Sequence, residues 1–107
     1  MELVVKGRGI RLTEPMRRKA ETKLAKITRI DPRVSRLEVE VLLEHNPRID
    51  GSHRVEVVCT RGRGVFRAHA AGRDLDGALD QVIARLERQL TSYRGRLKSR
   101  RQAGPIA

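Results

Sequence analysis

Arg85, Arg88 and Arg96 fall within a wedge roughly 80° wide on a helical wheel, and Gln81, Ser92 and Ser99 fill its gaps. Guanidinium groups interleaved with neutral hydrogen-bonding side chains can each neutralise a phosphate and donate to it, so the chemistry this pattern offers is a grip on a polyanion. Beside the wedge, Leu75, Leu79, Val82, Leu86, Leu90, Tyr93 and Leu97 recur at intervals of three and four, marking the side meant for a core. A second basic row, Lys19, Lys23 and Lys26, flanks an earlier amphipathic segment, with Arg18 and Arg29 further round. Cationic helix faces are commonly plain solvated surface, so the pattern needs support from the rest of the chain.

The charge balance gives that support. With 24 Lys plus Arg against 13 Asp plus Glu, the 107 residues carry +11 at pH 7, and the pI near 11.3 is that of nucleic-acid-binding domains. No run approaches the roughly 18 apolar residues of a spanning helix, and no apolar signal-peptide core follows Met1, so a cytoplasmic protein without a membrane partner is expected. There is no tryptophan, and Phe66 and Tyr93 are the aromatic residues. Readers of single strands stack bases on exposed rings, so recognition here should run through phosphates and shape.

Other chemistry finds little footing. Cys59 has no second cysteine to pair with, and it reads as a small core residue. His45, His53 and His69 are dispersed without ligand spacing, so no metal and no cofactor are expected. Glu38, Glu40 and Glu44 share one strand face, where neighbouring arginines make cross-strand ion pairs the better account. The Gly-Arg-Gly pieces at 7 to 9 and 62 to 64 lack the setting of a phosphate-binding loop, and no catalytic triad or dyad emerges. The chain is not expected to be an enzyme.

The elements that must position these residues follow from periodicity. Glu2 to Lys6 is a Val-rich strand; Thr13 caps a helix that carries Glu14 and Pro15 in its first turn, buries Met16, Ala20, Leu24 and Ile27, and stops at about Arg29 before Asp31-Pro32. From Val34 the period becomes 2, with Leu37, Val39, Val41 and Leu43 inward. Asn46 to Ser52 is turn-rich; Val55, Val57 and Cys59 face inward on the next strand, Arg61 to Gly64 make a tight hairpin loop, and Phe66, Ala68 and Ala70 face inward on the last. Gly72 ends that strand and Asp74 caps the long helix, in whose first turns Asp76 and Asp80 suit the helix dipole. The expected fold is α+β, in the order β-α-β-β-β-α: a four-stranded mixed sheet with two helices packed on one face. The domain should span 1–98, with 99–107 a basic flexible tail or the start of a linker.

The stretches LTEPMRRKAETKLAKI and AAGRDLDGALDQVIARLERQLTSYRGRLK closely resemble the bacterial ribosome hibernation promoting factors, also known as ribosome-associated inhibitors. The resemblance covers about Met1 to Arg100 and is strongest at Thr13-Glu14, Lys23 to Ile27, Gly72 to Asp74, and Ala78, Asp80, Leu86, Arg88, Gln89 and Leu90. It implies a ribosome-binding domain of the same β-α-β-β-β-α fold. It further implies a factor that occupies the mRNA and tRNA channel of the small ribosomal subunit, contacts 16S rRNA, competes with mRNA and tRNA, and inhibits translation by occlusion. The family's basic positions carry over onto Lys23, Lys26, Arg85, Arg88, Arg94, Arg96 and Lys98, and the charge pattern adds Lys19, Arg100 and Arg101 as rRNA-binding residues.

Long members of that family continue through a linker into a second domain that pairs ribosomes, so this chain is either a short member or the ribosome-binding half of a long one. By itself it is expected to be monomeric. Two other readings stay open: a generic double-stranded-RNA-binding module, which shares the strand-strand-strand-helix order, and a protein-interaction module that uses the outer sheet face.

Overall fold

Period and capping residues produce the expected elements. The computed structural model describes residues 1–43 and 53–103, with side chains described as far as Leu97. In chain order they are β1 (Glu2–Gly7), α1 (Glu14–Ile30), β2 (Val34–Leu43), β3 (His53–Arg61), β4 (Gly64–Gly72) and α2 (Leu75–Ala103). The Thr13 hydroxyl accepts from the Met16 N–H at 3.3 Å, and Asp74 Oδ1 accepts from the Gly77 N–H at 2.7 Å, so both helices begin on the expected caps. The helix α2 continues five residues past Lys98, through Ala103.

The strands lie in the order β1-β2-β3-β4. β1 runs parallel to β2 with Val5 opposite Val39, and the other neighbours are antiparallel, with Val57 opposite both Val39 and Ala68. A two-residue hairpin joins β3 to β4. Gly62 takes a positive φ of 56° there while Arg63 does not, a pattern that glycine satisfies without steric cost. Gly72 answers a different need: a Cβ on it would lie 2.7 Å from the Ala78 backbone nitrogen, so the last residue of β4 packs directly on the first turn of α2.

One sheet face and the facing stripes of both helices form the core. Leu24 and Ile27 of α1, Leu79, Leu86 and Leu90 of α2, and Val39, Val41, Val55 and Val57 of the sheet are all at most 1 % exposed. Two expectations need correction. Leu43 is 42 % exposed; alternation fixes the direction of a side chain, whereas burial also needs an element packed over it, and Leu43 is the terminal residue of β2. Arg61 was expected in a loop but is the last residue of β3, and it is buried. The Asn46 to Ser52 connection, Glu44 and His45 lie outside the described residues.

Candidate nucleic-acid interface

The two helices run side by side in the same direction, and the cations expected to meet RNA fall into two groups on either flank of α2. On the α1 flank, Lys19 Nζ lies 2.9 Å from Asp76 Oδ2, and Lys23 Nζ lies 2.6 Å from Asp80 Oδ1 and 3.6 Å from Asp76 Oδ1. The hydrogen bond to Asp80 raises the Lys23 pKa, and the hydrogen bond from Lys19 lowers that of Asp76. Both shifts favour the charged forms. Arg94 also belongs to this flank: its Nη1 donates to the Ile30 carbonyl at 2.8 Å, satisfying one of the orphan acceptors at the negative end of the α1 dipole.

On the other flank α2 lies along β4, an edge strand. Arg85 donates to the His69 carbonyl, and Gln89 Nε2 donates to the Arg67 carbonyl at 2.8 Å, so two outward-facing acceptors of the edge are taken. Arg67, Arg85, Arg88 and Gln89 line one shallow groove beside this edge. Arg67, Arg85 and Arg88 are exposed and have no carboxylate partner among the described residues. Lys26 and Arg96 are also exposed. Lys98, Arg100 and Arg101 lie beyond the last described side chain, although their backbone continues α2.

Residues that sequence reasoning passed over organise the far end of this surface. Asp31, expected only to stop α1, is 1 % exposed and pairs with Arg61 at 2.5 Å. Its second oxygen accepts from the Arg33 N–H at 3.1 Å. The Arg61 guanidinium sits 5.2 Å from the Tyr93 ring centroid, and Tyr93 meets Phe66 edge to face at 5.1 Å. Both aromatic rings are therefore engaged within the fold. The available signal was parity: Val55, Val57 and Cys59 face inward, and Arg61 continues that series.

The outer sheet face behaves as its mixed charges suggest. Glu40 and Glu56 stand directly opposite each other, and Arg8 bridges them at 3.2 and 3.0 Å. Arg36 pairs with Glu2 at 2.7 Å and with Glu38 at 2.8 Å. Arg8 thus closes the like-charge pair. Burial pushes the Cys59 thiol up to about 11, which leaves it a packing residue. Among the described residues, no group of three or more His, Cys, Asp or Glu could hold a metal ion, and no helix is long and apolar enough to cross a membrane.

Residues 3–98 match the family described as Sigma 54 modulation protein / S30EA ribosomal protein. The ribosome hibernation promotion factor of Deinococcus radiodurans is 32 % identical over 98 residues, covering 92 % of this chain and 51 % of that protein. The ribosome hibernation promoting factor of Escherichia coli K12 is 29 % identical over 98 residues, covering 92 % of this chain and 98 % of its own length. The chain thus spans about half of some relatives and nearly all of others. Among solved structures, a ribosomal subunit interface protein from Coxiella burnetii superposes with a TM-score of 0.77 at 20 % identity, over 89 % of this chain and 99 % of that one. The N-terminal domain of Thermus thermophilus Protein Y superposes with a TM-score of 0.67 at 26 % identity, over 87 % and 99 %. The topology is that of these neighbours, and the match takes in residues of every described element: the chain belongs to the Sigma 54 modulation protein / S30EA ribosomal protein family.

Proposed function

We propose that this protein is a ribosome hibernation factor of the cytoplasm that binds the small ribosomal subunit in the channel for mRNA and tRNA and inhibits translation by occupying it. Family membership supplies the ribosome. The observation that carries the binding mode is the exposed row of Arg67, Arg85 and Arg88 along α2 and β4, which makes no ion pair among the described residues and is held on packed elements. Such a row meets a folded RNA through its phosphates and its shape. No bond is made or broken in this mechanism: a rigid wedge fills space that substrates of translation need, and 16S rRNA supplies the phosphates. Lys26, Arg94, Arg96, Lys98, Arg100 and Arg101 extend the contact along both helices and past Leu97, whereas Lys19 and Lys23 are held by Asp76 and Asp80.

The order of the last four elements equally suits a generic module for double-stranded RNA, and filter binding separates the two readings. Small subunits should be retained at protein concentrations that leave a plain RNA duplex free, at equal salt. Equal retention of both would favour the generic module.

A further inference from the structure

Lys19, Lys23, Asp76 and Asp80 form a clasp across the helix seam whose two positive and two negative charges cancel. Helix dipole compensation accounts for Asp76, in the first turn of α2. It does not account for Asp80, because the dipole effect fades beyond that turn, and Asp74 already serves as the cap. Nor is stability a sufficient reason. The Lys19 and Asp76 side chains are 44 % and 46 % exposed and that of Asp80 is 58 % exposed, with Lys23 alone half-buried at 24 %, and ion pairs between mostly exposed partners contribute little. The core beneath already joins the helices through Leu24, Ile27 and Leu79. What the clasp does change is the charge shown to a polyanion: the α1 flank is neutral there, while the β4 flank keeps Arg67, Arg85 and Arg88 uncompensated.

From this arrangement we infer that Asp76 and Asp80 are specificity-determining residues, which withhold Lys19 and Lys23 from arbitrary RNA so that affinity depends on shape-matched docking. The inference rests on the ribosome-binding reading. An RNA attracted by charge alone meets only the cations outside the clasp, whereas a site that fits the whole wedge docks with the clasp intact. Selectivity is a difference of affinities, and lowering the affinity for wrong partners is one way to obtain it.

The test compares binding of the full chain to small subunits and to a plain RNA duplex, each across a salt series. For the Asp76→Asn/Asp80→Asn variant, log affinity for the duplex against log salt should steepen by nearly two. That amounts to about tenfold over a fourfold salt change, as two lysines begin to release counterions. Affinity for small subunits should change far less, so preference falls. Glu21→Gln/Glu87→Gln adds the same two charges at exposed positions outside the clasp and should leave the preference near wild type. A fourfold variant, Lys19→Gln/Lys23→Gln/Asp76→Asn/Asp80→Asn, keeps the seam neutral and should bind the duplex as wild type does. Thermal unfolding verifies folding, and Asp80→Asn alone, expected to give about half the steepening, serves if the double variant does not fold. An unchanged duplex slope, or an equal gain for both RNAs, overturns the inference while leaving a wild-type preference for subunits in place. A wild type that shows no such preference would instead overturn the ribosome reading, and this inference with it.

Discussion

Arg85 illustrates how a single residue serves two ends: one of its five donors goes to the His69 carbonyl, and the exposed remainder faces the groove with Arg88. Replacing Arg85, Arg88 and Arg96 together by Gln should weaken ribosome binding and flatten its salt dependence by about two to three released counterions. Circular dichroism should show the fold intact. An unchanged slope of log affinity against log salt would remove these residues from the interface. Arg61 behaves differently because it is buried. Its replacement by Ala leaves Asp31 uncompensated at 1 % exposure, and denaturant unfolding should register a loss of about 3 to 5 kcal/mol. Both roles were only partly legible in the sequence. Spacing along one helix revealed the wedge of Arg85, Arg88 and Arg96, but Asp31 and Arg61 are 30 residues apart, and nothing local in either segment announces their pairing.

At the scale of elements, sequence patterning performed best where one rule acted alone. The 3.6 period located both helices, Thr13 and Asp74 marked their starts, and the period of 2 located β2 to β4, because burial of one face forces each pattern. It performed worst where elements meet. Lys19 and Lys23 looked like a free basic row and Asp76 and Asp80 like dipole partners, since a helical wheel holds only one helix at a time. Two measurements follow at this scale. Leu86 is fully buried between α2 and the sheet, so Leu86→Ala should cost about 2 to 5 kcal/mol through the cavity it leaves. The clasp should also shape the pH profile of stability. The Asp76 pKa is lowered in the folded state, so its contribution is present above the unfolded carboxylate value of about 3.9 and is lost as pH falls through the lower folded value. Lys23, raised in the folded state, contributes below its unfolded value of about 10.4 and loses that contribution as pH rises through the folded one. Asp76→Asn should therefore flatten the acid limb of an unfolding midpoint against pH curve. An acid limb identical to wild type would show that the clasp does not contribute to it.

For the molecule as a whole, charge and shape act together. A net charge of +11 draws a protein to polyanions in general, and on the proposed reading attraction becomes recognition through the shape of the wedge: two helices packed over a four-stranded sheet, with one flank cationic and the seam neutralised. The topology was legible from the element order, because a single right-handed crossover followed by a meander places both helices on one face. The division of labour between the two flanks was not, since it depends on which side of α2 faces α1 and which faces β4. The central claim is that the folded wedge excludes the substrates of translation by occupying their channel. Its most direct test is the binding of P-site tRNA to small subunits carrying mRNA, titrated with the 107-residue chain. Occlusion predicts that tRNA is displaced in proportion to bound protein and that excess tRNA displaces the protein in return. Full tRNA occupancy on subunits saturated with the protein would contradict it.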